Sequence, residues 1–266
     1  MSEDGVRNLI DYWKEAANWT RPPYVSQDDL AVIEPTSAFR QPFNSFMEYA
    51  SSDSLYADET IFHTGLLPVP YVGDLENAKA VVCMLNPGFG PSDYFAEEQS
   101  DFRSATMSNL LQSFSKELIP FFLLDRRFAW SGGYAWWRRK FQPVVEAIKH
   151  KRGDMETEDA IELIGRHVAA IELIPYHSVS SPLNEDQTRN LTSAKKAIQA
   201  VKALRERKTL VIVTRSAKLW GESPCGTIDQ SNDQYTPKGH AVVYESRFAR
   251  SASLRRVANA IAECIV

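Results

Sequence analysis

The 266-residue chain is 44% hydrophobic and 24% charged, an ordinary globular composition with enough length to bury a sizeable core in one large domain. Its apolar runs are only a few residues long, against the ~20 needed to cross a bilayer, and its first residues, MSEDGVRNLIDYW, lack a basic-then-apolar signal pattern; the expectation is a cytoplasmic protein with no membrane partner. The formal charge of -4 is unevenly spread, with 16 acidic and 5 basic residues over 1–100 but 6 acidic and 14 basic over 187–266, so any contact with a polyanion belongs to the C-terminal part.

Residues 1–75 are rich in turn formers and scattered aromatics, including Trp13, Trp19, Phe39, Phe43 and Phe46, and read as one or two helices plus a wrapping extension packed on a core of residues 76–266. Residues 80–85, AVVCML, are wholly apolar between polar flanks, the pattern of a strand buried on both faces of a parallel sheet. A helix is predicted over 105–118, then an aromatic, turn-rich stretch over 121–134, then a helix over 136–150 that Pro143 kinks or divides. Asp154 is placed to cap a helix ending near Gly165. Strands are predicted at 168–174, 209–214 and 240–244, the second after a helix with the apolar stripe Leu191, Ala194, Ile198, Val201 and Leu204. Ser251 is expected to cap a last helix with Leu254, Val257, Ala258 and Ile261 inward. The predicted fold is a three-layer α/β/α arrangement around a short, mostly parallel four-stranded sheet, as a monomer.

The three cysteines, Cys83, Cys225 and Cys264, have no C-x-x-C spacing, which argues against a disulfide framework or structural zinc site and leaves them as core thiols. No motif implies a metal or cofactor. In parallel sheets ligands bind beyond the carboxyl ends of the strands, which selects the loops at 86–94, 175–182, 215–221 and 245–250. Lys195, Lys196, Lys202, Arg205, Arg207 and Lys208 read as the solvated face of a helix, whereas Arg215, Lys218, Arg247 and Arg250 fall in or beside those loops.

In the first loop, Pro87 stiffens the backbone beyond the strand, while Gly88 and Gly90 permit close approach of a ligand. Asn86 has two readings here: an amide that holds a water while donating its NH2 elsewhere, or a turn residue in a left-handed conformation. The loop matches neither the phosphate-loop nor the dinucleotide-binding glycine pattern.

LNPGFG resembles the first motif of the uracil-DNA glycosylase superfamily, in its G-x-N-P-G version. The resemblance runs through the order of landmarks over roughly the last three-quarters of the chain. It implies a four-stranded parallel sheet between helices, DNA as partner, and metal-free hydrolysis of the N-glycosidic bond of a flipped nucleotide. By that resemblance Asn86 positions the attacking water, and Gly88, where the uracil-specific branch has a tyrosine, leaves the pocket open toward a pyrimidine 5-substituent. Phe89, Tyr94, Phe95 and Phe102 are aromatic candidates near the base, with Phe95 or Phe102 as its stacking platform. In the second landmark, IELIPYHS, Glu172 stands where the family reads the base with asparagine. A carboxylate there accepts from an exocyclic amine and repels a uracil carbonyl, unless it simply pairs with an arginine beneath the sheet. Tyr176, His177 and Ser178 follow, Tyr176 beside the substrate, Ser178 against DNA, and His177 either stabilising the departing base or serving structure alone. The third landmark has ESRFARS in place of the family's histidine-proline-serine loop, which puts Arg247 in the electrostatic role and Ser246, Phe248 and Arg250, with Arg215 and Lys218, against DNA.

The resulting expectation is a monofunctional glycosylase for a modified or mispaired pyrimidine, best a 5-substituted cytosine, in base-excision repair or antiviral defence. The competing expectations are a binding module of the same fold without catalysis, and a hydrolase of free nucleosides or nucleotides.

Overall fold

The computed structural model describes residues 4–16, 20–55, 60–214, 216–221, 228–229, 234–235 and 252–266. Its centre is three parallel strands, β2 (Ala80–Met84), β3 (Val168–Glu172) and β4 (Leu210–Val213), in which every residue is buried. β2 lies between the other two, with Val82 opposite both Ala170 and Ile212. A two-residue strand, β1 (Tyr71–Val72), pairs antiparallel with β3 and completes the order β1-β3-β2-β4. Two short strands, β6 (Gln234–Tyr235) and β5 (Ile228–Asp229), extend the β4 edge.

Side-chain alternation divides the sheet's apolar residues between two cores. Ala80, Val82, Met84, Val168, Ala170, Leu210 and Ile212 face α6 (Gly132–Arg152), α7 (Thr157–His167) and the last helix, α10 (Ala252–Ile265). Val81, Cys83, Ala169, Ile171, Val211 and Val213 face α1 (Gly5–Ala16) and α9 (Thr192–Glu206). The architecture is therefore the three-layer α/β/α fold with a mostly parallel sheet. The strand expected at 240–244 and the cap expected at Ser251 lie outside the described residues. Among those described, no helix is long and apolar enough to cross a membrane.

The N-terminal segment supplies a helix to one of these layers. α1 buries Val6, Leu9, Ile10 and Trp13 against α9. From α2 (Gln27–Ile33), the fully buried Asp29 accepts hydrogen bonds from the Thr192 and Ser193 amides at 2.7 and 3.2 Å, satisfying the otherwise unpaired start of α9. Tyr176 Oη donates to the same carboxylate at 2.7 Å. Tyr176 is thus buried in the core opposite α6, which corrects its expected place beside a substrate. Around α3 (Phe46–Ala50), Tyr49, Leu66 and Tyr94 form a third, smaller cluster with Phe43, Phe46 and Phe89.

Several local boundaries differ from the sequence expectation. The helix expected over 105–118 is α5 (Ser100–Leu110), which ends where Gln112 adopts a positive φ of 49° and its side chain bonds Leu75 N and Gly73 O. Pro143 does not divide α6, because burial of Phe141, Val144, Val145 and Ile148 holds both halves against one core. Glu156, not Asp154, occupies the cap position of α7. The helix before β4 is preceded by a separate α8 (Glu185–Asn190), with a capping box formed by Asn184 and Gln187. Cys83 is a core thiol, but Cys264 is exposed on α10.

Tyr176→Phe removes a donor from a buried carboxylate without changing shape, and the expected loss is about 1–3 kcal/mol of stability in urea denaturation. Ligand binding in the cavity described below is expected to persist in that variant. A variant as stable as the wild type would show that the Asp29 network does not need this bond.

Candidate functional site

Beyond the carboxyl ends of β2 and β3 lies a cavity of about 430 Å³, a volume suited to a small ligand. Alternation places Met84, Asn86 and Glu172 on the same face of the sheet, and Met84 is registered directly opposite Glu172. The loop after β2 forms one wall with Pro87, Gly88, Phe89 and Gly90. α4 (Ser92–Glu98) and α5 form another through Asp93, Glu97 and Phe102, and the start of α6 closes the site with Gly132, Gly133, Trp136 and Trp137.

Asn86 is 8% exposed and its orientation is determined. Its Nδ2 donates to Ser178 O at 2.8 Å and to Ser178 Oγ at 3.2 Å, so the amide carbonyl is the atom left for other partners. Ser178 is wholly buried, which corrects its expected place on DNA: it orients Asn86 instead. Glu172 is 4% exposed, at the end of β3. Gly88 has φ 78°, a conformation that favours glycine, and a Cβ there would meet nothing within 4 Å.

Two titratable groups grip the loop two residues apart. Asp93 Oδ2 accepts from Gly90 N at 2.8 Å, and His177 Nδ1 donates to Gly88 O at 3.1 Å. Burial pushes the His177 imidazole below the usual histidine range, against the opposing pull of the Asp93 charge and the Gly88 and Leu67 carbonyls. Burial likewise raises the Asp93 carboxyl, with His177 and the Gly90 amide working against it. Desolvation favours the uncharged forms of both, and mutual attraction favours the charged forms. One turn along α4, burial pushes Glu97 up to about 7 against the Arg103 guanidinium, which donates to it at 3.0 Å, while the Asp93 charge adds to the rise. Arg103 also donates to Tyr24 Oη at 3.0 Å, which fixes it between α5 and the N-terminal segment.

Phe89 is held by its neighbours. Its ring stacks on His63 with centroids 3.4 Å apart and planes at 11°, and meets Tyr49 and Tyr94 edge-on. Burial drives His63 down to about 3, so the stacked imidazole is neutral near pH 7.

The structure therefore brings Asn86, Pro87, Gly88, Phe89, Phe102, Glu172 and His177 to one cavity. Tyr94 lies outside it, buried behind Phe89. Of the two expected stacking platforms, Phe95 faces outward from α4 and Phe102 lies in the wall. Lys218 is exposed and paired with Glu185 at 2.8 Å. Arg215, Ser246, Arg247, Phe248 and Arg250 lie outside the described residues. Sequence reading missed Asp93, Glu97, Trp136 and Trp137. The carboxylates carried a legible signal, i and i+4 spacing on the helix that follows the loop, whereas the tryptophans are brought in by the packing of α6 from almost fifty residues away. Comparison with protein-family models, curated proteins and solved structures finds no match to this chain.

The pair makes a sign-definite prediction for histidine NMR titration of the full chain, with His177→Gln assigning the resonance. His177 is expected to titrate below the usual histidine range. Asp93→Asn, which removes the opposing negative charge, is expected to move that midpoint lower still, so the ring stays neutral to more acidic pH. An unchanged midpoint would show that the two groups are not electrostatically linked.

Proposed function

We propose that this protein is a monofunctional DNA glycosylase that hydrolyses the N-glycosidic bond of a flipped, modified or mispaired pyrimidine, with a 5-substituted cytosine the best fit. One observation carries the reading. Asn86, Phe102 and Glu172, from segments far apart in the chain and all singled out by the resemblance to the uracil-DNA glycosylase superfamily, line the same cavity.

In this reading the clamp on the Asn86 NH2 leaves its carbonyl to orient a water against the anomeric carbon. The water oxygen forms the new C–O bond as the C–N bond breaks, the C–N electron pair leaves with the base, and the proton that the water sheds is balanced by the one that the base gains. A neutral amide is a poor base, so much of the barrier reduction must come from stabilising that departing anion. In this reading Asp93, whose protonated form burial favours, is the wall group that gives the anion a proton, with His177 held beside it. Phe102 offers the base an aromatic face, Glu172 accepts from an exocyclic amine, and the empty space at Gly88 accommodates a substituent at the 5-position. Excision of a hypermodified base suits antiviral defence, and excision of a mispaired one suits base-excision repair. The described lining of the cavity holds three carboxylates and neither lysine nor arginine, which favours a second reading, hydrolysis of an uncharged free nucleoside, because nothing in that lining offsets a phosphate charge.

Incubation with DNA carrying 5-substituted cytosine, cytosine or uracil, followed by alkali, converts excision into strand breaks. The expected result is cleavage at the modified cytosine, reduced ~100-fold or more by Asn86→Ala through loss of water alignment. Glu172→Asn is expected to shift preference toward uracil, and an unchanged preference would remove the carboxylate from base reading. Turnover of free nucleosides with no base excised from DNA would replace the first reading with the second.

A further inference from the structure

Among the described residues, the large hydrophobic side chains left exposed are Met47, Phe95, Trp130, Val179 and Val266. Their placement is uneven. Val179 belongs to the cavity wall. Phe95 packs edge-on against Trp130, with centroids 6.1 Å apart, and Trp130 lies 5.8 Å from Phe102, which also lines the cavity. Phe46, the chain neighbour of Met47, packs on Phe95 at 5.9 Å. The rings of Phe46, Phe95, Trp130 and Phe102 thus form an unbroken run from the surface into the site. Single exposed apolar residues are ordinary, but a contiguous aromatic patch at a cavity mouth marks a binding surface.

The chemistry of this patch narrows its partner. Phe95 is 45% exposed and Trp130 49%, and both stand on firm supports: Phe95 within α4, and Trp130 immediately before Ser131, which caps α6. Large, preorganised ring surfaces open to water suit the π-face of a nucleobase, whatever its identity. Exposed Arg126 and Arg127 lie in the short turn just before Trp130 and are the nearest cations to it in the sequence. Arg127 is held by Asp125 and also feels Asp101, so the cationic charge that the described residues bring to this patch is partly offset. A duplex, whose binding draws chiefly on many phosphate contacts, fits such a surface poorly. A single strand, gripped by stacking, fits it well.

We propose that Phe95 and Trp130 form a stacking platform for the bases flanking a nucleotide in the cavity, and that the polymer bound there is single-stranded nucleic acid. The proposal rests on the cavity accepting a nucleotide, as in the proposed function, but its test needs no base to be excised.

Fluorescence anisotropy of a labelled oligothymidylate, alone and annealed to its complement, measures the full-length protein and its variants. The expected result is tighter binding of the single strand than of the duplex, weakened roughly 5- to 100-fold by Phe95→Ala or Trp130→Ala and restored by Phe95→Tyr or Trp130→Tyr. With Arg126 and Arg127 beside the platform, log affinity is expected to fall with log salt with a slope of about -1 to -2. Both alanine variants remove exposed side chains, and circular dichroism checks that they fold. No binding of the oligonucleotide, equal binding by the alanine variants, or preference for the duplex would each overturn the proposal. Platform binding with no base excised would leave it standing and remove the glycosylase reading. Excision indifferent to both alanine variants would do the reverse.

Discussion

The two hydrogen bonds from the Asn86 amide to Ser178 are the constraint on which the site depends. They tie the loop leaving β2 to the loop leaving β3 just where the parallel ladder between those strands has ended. His177, next to Ser178, adds a second tie to Gly88 O, and its own carbonyl accepts from His63 N at 2.9 Å. Three chain segments converge on a short stretch of backbone, so the side chains there have little freedom to reorient. Such preorganisation is what lets a neutral amide present one chosen atom to a cavity.

The same cavity concentrates ionisable groups among apolar walls. Asp93 and Glu97 from α4, His177 and Glu172 from the segment around β3, and Trp136 and Trp137 from α6 share about 430 Å³. Burial opposes charge on Asp93, Glu97 and His177, while Arg103, the Gly90 amide and mutual attraction partly restore it. Groups shifted in this way by burial and a specific charged neighbour are characteristic of sites of chemistry, though structural networks shift them too. The opposite face of the sheet offers a contrast. There the Asp29 carboxylate is surrounded by donors from α9 and Tyr176, and its role is to hold a helix.

The N-terminal segment is bound into both features. α1 and α2 complete one helical layer, and the Tyr49, His63 and Leu66 region packs around Phe89 and Tyr94. Phe46 begins the aromatic run that passes through Phe95 and Trp130. Aromatics scattered along the first part of the sequence therefore serve two ends: some brace the loop from behind, and others line its approach.

What the sequence determined by itself was the three central parallel strands of the sheet and the loops that leave their carboxyl ends. Short, mostly apolar runs bounded by turn residues are the pattern of strands buried on both faces, and β2, β3 and β4 lie where those runs are; the turn chemistry of Asn86, Pro87 and Gly88 and the polar residues after β3 then lie at the carboxyl ends. What it did not determine was which face each later residue takes. Tyr176 and His177 are adjacent, yet one is sealed beneath the sheet with Asp29 and the other lines the cavity, because neighbouring residues beyond a strand diverge once the ladder ends. Phe95 and Phe102 were equal candidates on spacing, and the turn between α4 and α5 sends one outward and one into the wall. Trp136 and Trp137 enter only through the packing of α6 on the sheet, and Asp93 and His177 meet only because both bind the same loop. Local pattern encodes an element and its buried face; contacts between residues distant in sequence depend on how whole layers pack, and no local pattern carries that.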